Sequence, residues 1–324
     1  MTDKEQYKYL CETHSEVPLF LQHWWMDAVC KGKQWDVFLY RNGDGEIQAV
    51  LPYLVGKKLG MKYILQPQLT QFNGVWYLRN DFKSENERLS FEKKVCTYFA
   101  ECLKNLNISY FNQNFTPHFT NWLPFYWQGF SQTTRYTYQI NNLSNLYEVF
   151  SAFDRDRRQK KILRLEKDYH ETTDISPEEF YDFHRKYWEE KGFKDLFAKD
   201  FVVNLCNVAI ARGQGIIIGL ADNITHKKVA MRFVVYDGHS AYSLMSAIAP
   251  DININGLSGL LFWKVIQRLS TKTKVFDFEG SMDEGIEHSY RLYGAVQTPY
   301  FQIVKCNNLI FSLLLSMRNK LGRK

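Results

Sequence analysis

Many familiar signatures of chemistry are missing from this chain. Its six cysteines, Cys11, Cys30, Cys96, Cys102, Cys206 and Cys306, are scattered, with no C-x-x-C pair and no tetrad at zinc-ligand spacing. They read as reduced, mostly buried thiols, and no metal is expected. No uncharged apolar run reaches the ~18 residues of a membrane span. The polar start, MTDKEQYKYLCETHSE, carries no secretory pattern. A cytoplasmic location is therefore expected. No Gly-Lys-Ser/Thr follows a glycine-rich loop, which excludes a P-loop, and no dinucleotide fingerprint is present. A net charge of +6 over 324 residues is mild. A dedicated nucleic-acid binder is more basic or gathers its charge on one face, so no DNA partner is expected. An anionic small ligand or an anionic membrane surface remains compatible.

What is present is an ordinary soluble composition, 45% hydrophobic and 23% charged, with an aromatic content of 16%. Such an aromatic surplus fills cores and also lines grooves. The length suggests about two domains or one large one.

Two alternating runs flank Asn42-Gly43-Asp44-Gly45 in WDVFLYRNGDGEIQAVLPYLV, a strong hairpin signal. FEKKVCTYFAECLKNL has Val95, Phe99, Cys102 and Leu103 at helical spacing. ISYFNQNF and GFSQTTRYTYQIN read as strands. A second series begins near Asn145. LYEVFSAFDRDRRQKKILRLEKDY reads as one long basic amphipathic helix, and Ser176-Pro177-Glu178-Glu179 as a helix start. IIIGLADNITHKKVAMRFVVYDGHSAYSLMSAIAP reads as three strands. A helix, the strand KVFDFEG, a short helix and the strand TPYFQIVK follow. The two halves share an order of elements, which predicts two similarly built α+β domains, 1–143 and 144–324, each a mostly antiparallel sheet flanked by helices. The boundary falls in the polar break INNLSN.

Three stretches stand out. In AIAPDININGLSGLLFWKVIQRL, Asn255, Gly256, Leu257, Ser258 and Gly259 open a helix after a strand. Free N–H groups and close backbone approach suit a pyrophosphate. Alternatively Asn255 or Ser258 only caps the helix and Gly259 allows packing. Between Asp154 and Asp168, Arg157, Lys160, Lys161, Arg164 and Lys167 share one side at 100° per residue. That stripe, with Arg158, suits phosphate or is a solvated face. In VAMRFVVYDGHSAYSLMSA, Arg232 lies inside an apolar strand, where a charge needs a partner or a ligand. Tyr242 and Ser246, by alternation, share one strand face with their hydroxyls.

The combination FDFEGSMDEGIEHSYRLYGAVQTPY, the glycine-containing helix start and the basic helix resemble the second domain of FemAB-like proteins, which are tandem GNAT acyltransferase domains. PLFLQHWWMDAV and AVLPYLV resemble their first domain. The resemblance covers nearly the whole chain. It implies an acyl-CoA or similar thioester as donor and an amine of a sugar or cell-envelope precursor as acceptor. The bridge-forming members instead use aminoacyl-tRNA and a lipid-linked muropeptide. The chain departs from those members: it has no room for their coiled-coil arm between Lys167 and Ile216, and it is shorter. A degenerate GNAT pair that only binds a partner is the third reading.

Acyl transfer to an amine requires alignment, a proton acceptor and a stabilised oxyanion. Glu279 is the base candidate. Asp277, two residues earlier on the strand, is expected on the same side and close enough to raise one pKa by repulsion. Tyr290 and Tyr293, three apart on a short helix, are candidate donors of the leaving-group proton. Arg232, Tyr242, Ser246, Arg157, Arg158 and Lys161 are the expected substrate contacts, and Asn255 to Gly259 the donor cradle. The alternative is that Glu279 ends a strand and Tyr293 packs. The tail NNLIFSLLLSMRNKLGRK, apolar and then basic, is expected either to sit on an anionic inner membrane face through residues 309–324 or to pack as a helix.

Overall fold

The computed structural model describes residues 1–193, 197–280, 282–308 and 311. The chain divides into two compact units, one of residues 1–135 with the described residues from 299 onward, the other of residues 136–298.

The first unit begins with α1 (Asp3–Thr13) and α2 (His23–Val29). Then come β1 (Gln34–Arg41), β2 (Ile47–Lys58), β3 (Met61–Leu65) and β4 (Trp76–Tyr77). The β1–β2 hairpin closes as its sequence requires: Asn42 Oδ1 accepts from the Asp44 and Glu46 N–H groups at 3.0 and 2.9 Å. The long helix α3 (Glu85–Asn105) is capped by Ser84 and puts Val95, Cys96, Phe99 and Leu103 into the core. β5 (Tyr110–Asn114) and α4 (Leu123–Trp127) follow. The next strand, β6 (Ser131–Ile140), leads into the second unit.

That unit opens with α5 (Leu146–Ser151), a π-helical turn (Arg155–Gln159) and α6 (Lys160–Leu165). The single long helix expected here is broken. The Asp154 N–H bonds to the Leu292 carbonyl at 2.9 Å instead of to an upstream turn, and the Asp154 carboxylate caps Arg157 N at 2.6 Å. Tyr169, expected in that helix, starts the strand β7 (Tyr169–Thr172). Then come α7 (Pro177–Glu190), capped by Ser176, and α8 (Lys199–Ala211). β8 (Gly215–Asp222), β9 (Lys228–Tyr236) and β10 (Ser240–Ile248) are the three expected strands. α9 (Leu257–Leu269), β11 (Val275–Asp277) and α10 (Glu284–Arg291) complete the unit. Its strands run in the order β7-β8-β9-β10-β11-β6, antiparallel except for β10 with β11. α9 buries Leu260, Leu261, Phe262, Val265 and Ile266 against one face of that sheet.

The last strand, β12 (Val296–Cys306), returns to the first unit, where Gln302–Cys306 pair antiparallel with Tyr110–Asn114. The expected second domain, 144–324, includes these residues. Their backbone hydrogen bonds and the buried Ile303 place residues 299–306 by contact with the first unit. Among the described residues no disulfide forms, no His/Cys/Asp/Glu cluster could hold a metal ion, and no helix is long and apolar enough to cross a membrane. The tail assigned to membrane contact lies outside the described residues, apart from buried Phe311.

Candidate active site

β10 and β11 run parallel but pair over only three residues, Ser240–Tyr242 against Val275–Asp277. β10 continues to Ile248 while β11 ends at Asp277. Beyond Tyr242, no described strand pairs with that edge of β10. A bulge between Ser243 and Met245 bends the strand at this point. The two strands therefore splay, leaving a gap edged by unpaired backbone groups.

Asp277 and Glu279 stand at the apex of the gap in different conformations. Asp277 is fully buried. Its Oδ1 accepts from Thr137 Oγ1 at 2.5 Å and from the Glu279 backbone N–H at 2.7 Å, and its Oδ2 accepts from Gln139 Nε2 at 2.8 Å. Strand alternation stops there, because Glu279 adopts a left-handed φ of +65°. The expected pair facing one side thus becomes a hydrogen-bonded support, Asp277, and a projecting carboxyl, Glu279. Gly280 follows at φ +50°, and a Cβ there would collide with the Tyr136 carbonyl. Glu279 is half-buried by surface but densely surrounded by protein, and its carboxyl has no hydrogen bond or ion pair with a described side chain. Burial, and then the Asp277 charge, hold it well above the usual carboxylate range.

Register fixes which side chains share this gap. Ser246 lies opposite Arg232, and Arg232 packs 3.6 Å from the Phe262 ring centroid, on the α9 side of the sheet. Tyr242 lies opposite Asp277, next to Phe276, which contacts Phe262. Tyr242 therefore faces away from α9. The bulge inserts one residue between Tyr242 and Ser246 and sends their side chains to opposite faces, so the single hydroxyl face expected from alternation does not exist. Ser243, which the sequence reading passed over, accepts a hydrogen bond from Arg232.

α10 closes the other side. Asp283 caps it through Ile286 N at 3.0 Å, and Tyr138 of β6 donates to Glu287 Oε1 at 2.9 Å. Tyr290 packs on Phe278 and Tyr138, and Tyr293 on Phe278, Phe262 and Phe153. Neither hydroxyl makes a hydrogen bond among the described residues. Burial pushes Tyr290 up to about 12, against the pull of Arg232, and raises Tyr293 against Arg158 and Arg232. Both phenols therefore keep their protons at neutral pH.

The basic segment divides. Arg158 lies 4.5 Å from the Tyr293 centroid and donates to Ser289 Oγ at 2.7 Å. Arg157 contacts His288 Nε2 at 2.8 Å, and Lys161 Nζ donates to Asn255 Oδ1 at 3.3 Å. Lys160 pairs with Asp156, and Arg164 and Lys167 are exposed. The break in the helix turns the expected continuous stripe into a short cluster beside α9 and α10.

The start of α9 fits part of what a pyrophosphate-bearing donor requires. Gly256 caps it at φ +110° with no side-chain hydrogen bond, so the N–H groups of Leu257, Ser258 and Gly259 keep no side-chain acceptor, and Lys161 adds a cation. The two glycines also serve packing. A Cβ on Gly256 would lie 3.1 Å from both Leu165 Cδ1 and Lys161 Cβ, and one on Gly259 would lie 3.3 Å from the Tyr293 hydroxyl.

Thr137, Gln139, Ser243 and Phe262 complete the site unannounced. Thr137 and Gln139 do alternate in RYTYQIN, but only strand pairing reveals that they meet Asp277.

Residues 151–286 match the Acetyltransferase (GNAT) domain family model. The match ends four residues before Tyr290. The fold of the chain is FemAB-like, a tandem pair of GNAT-type units. The structure of FemX aligns at a TM-score of 0.69 and 11% identity, covering 97% of this chain and 98% of that one. The tandem GNAT protein of the clavulanic acid biosynthesis pathway aligns at 0.52 and 10% identity, covering 94% of each chain. L-PGS from Bacillus licheniformis aligns at 0.53 and 12% identity, covering 90% of this chain and 95% of that one. Comparison with curated protein sequences finds no match.

Proposed function

We propose that the second unit transfers an acyl group from a thioester such as an acyl-CoA to a primary amine, at the gap between β10 and β11. One observation carries this reading: Glu279 and the phenols of Tyr290 and Tyr293, which flank Phe278, make no side-chain hydrogen bond among the described residues, and each has its pKa raised by burial. Groups whose pKa values are perturbed by their surroundings, gathered at one strand-to-helix junction, fit a function better than a packing role. The thioester supplies an acyl group already activated, so the protein need only align, move protons and stabilise charge.

Glu279 takes the proton that the amine loses as its nitrogen bonds to the acyl carbon. A raised pKa brings this carboxylate closer to the amine's own proton affinity, which eases the transfer. The unpaired N–H groups on the β10 edge face the developing oxyanion. Tyr290 gives its proton to the departing thiolate as the C–S bond breaks and regains one from solvent, to which Glu279 releases the proton it took from the amine. The sum is thioester plus amine giving amide plus thiol. The α9 start and Lys161 hold the donor's phosphates.

A second reading, with aminoacyl-tRNA as donor, is favoured by the exposed Arg155, Arg157 and Arg164 on the segment that borders the site. A thermal-shift titration separates the two. Saturable stabilisation by acyl-CoA supports the thioester reading. Stabilisation by deacylated tRNA that fades steeply with salt supports the other. On the thioester reading the protein works in the cytoplasm, residues 309–324 contact an anionic membrane face, and the acceptor is a precursor of the cell envelope.

A further inference from the structure

Arg232 stands at this site and the transfer steps leave it unused. It is 4% exposed in an otherwise apolar stretch of β9, and it makes no ion pair with a described acid. One Nη donates to the Ser243 hydroxyl, the guanidinium lies against Phe262, and Nε is buried with no partner. Burial lowers its pKa to about 10, which still leaves it charged at neutral pH. A desolvated cation without a counter-ion weakens the fold. Keeping one is understandable when its counter-ion arrives with the substrate.

The surroundings point the same way. Arg232 and Tyr293 pack on the same ring, Phe262, which also packs on Phe278, the residue before Glu279. Tyr290 packs on Phe278 as well. One layer of aromatic side chains thus links the proton acceptor to the buried cation.

We propose that Arg232, with the hydroxyl of Tyr293, is a subsite for a carboxylate carried by the acceptor, which makes the acceptor an amino acid or a peptide rather than a neutral amino sugar. The free Nε edge of the guanidinium matches a planar carboxylate bidentately. A single cation balances a monoanion, while a phosphate dianion would leave net negative charge in a buried slot. The neighbouring Arg158 also has a buried Nε without a partner, but its Nη2 is taken up by two bonds to Ser289 and its guanidinium by the Tyr293 ring. Only the placing of the amine at Glu279 rests on the acyl-transfer reading.

The test uses the full chain and needs no turnover. Melting is followed for wild type, Arg232→Met and Arg232→Lys with acetate, acetamide, glycine, glycinamide and inorganic phosphate. Without ligand, Arg232→Met is expected to melt at or above wild type, because the unpaired buried charge is gone. Wild type is expected to bind each carboxylate at least about tenfold tighter than its amide, the size of a charge-assisted hydrogen bond. Arg232→Met loses that preference, and Arg232→Lys, which keeps the charge without the fork, loses most of it. Melting of Arg232→Met several degrees below wild type makes the arginine structural and overturns the proposal. So does an equal response of wild type and Arg232→Met to every carboxylate, or a preference of wild type for phosphate over acetate. Carboxylate binding with full turnover in Glu279→Gln would leave this subsite standing and remove the proton-transfer assignment. Amine acylation with no preference for carboxylate over amide would do the reverse.

Discussion

The backbone N–H of Glu279 donates to Oδ1 of Asp277 at 2.7 Å, and that bond separates the roles of two carboxylates two residues apart. Asp277 is taken up by this donor, by Thr137 and by Gln139. Glu279 is turned outward by its left-handed backbone and is left without a partner among the described side chains.

Asp277→Asn should therefore damage both stability and activity. The new amide group replaces an acceptor where three donors converge, so at least one buried donor loses its bond. The expected cost is about 1–3 kcal/mol, read by chemical denaturation. Transfer should fall as well, because Glu279 loses its support. Unchanged stability would show that Asp277 is not the anchor described.

Glu279→Gln should stabilise the fold in a pH-dependent way. The folded carboxyl holds its proton to higher pH than the ordinary value of 4.5. Below that value both folded and unfolded chains are protonated, and the group costs nothing. As pH rises through the window above 4.5, the unfolded chain releases its proton first, so native stability falls until the folded pKa is passed. Glutamine has no such loss. The melting temperature of the variant should gain on wild type as pH rises above the ordinary carboxylate value of 4.5. A constant difference as pH rises would mean that the carboxyl is not perturbed.

Gly280→Ala should be poorly tolerated. The residue combines a left-handed φ with a backbone carbonyl in the space a Cβ would take. The expected cost is at least about 2 kcal/mol, and a melt indistinguishable from wild type would contradict the close approach to β6.

Much of this was legible in the sequence, for reasons that differ by element. Asn42-Gly43-Asp44-Gly45 encodes its turn locally, and Ser176-Pro177 encodes its helix start, so both read correctly. Glu279, Tyr290 and Tyr293 were legible as polar residues at a strand-to-helix junction, and both phenol rings pack on Phe278, the residue before Glu279. Tyr242 and Ser246 misled because a bulge leaves no mark in an alternating pattern. The helix break at Asp154 was hidden because its cause, the Leu292 carbonyl, lies far along the chain. Pairing of β12 with β5 is likewise a long-range choice that no local propensity records.

Tyr290→Phe separates chemistry from packing. Its ring packs on Phe278 and Tyr138, and its hydroxyl bonds to no described group. Stability should stay within about 0.5 kcal/mol, while kcat for donors with a basic leaving thiol falls. A large loss of stability with unchanged kcat would assign the tyrosine to structure alone.

The central claim is that Glu279 accepts the amine proton, and single-turnover acyl transfer from acetyl-CoA by Glu279→Gln tests it most directly. The account predicts a fall of about a hundredfold to ten-thousandfold, with donor binding retained and the fold at least as stable as wild type at neutral pH. Transfer at the wild-type rate by a correctly folded Glu279→Gln would contradict it.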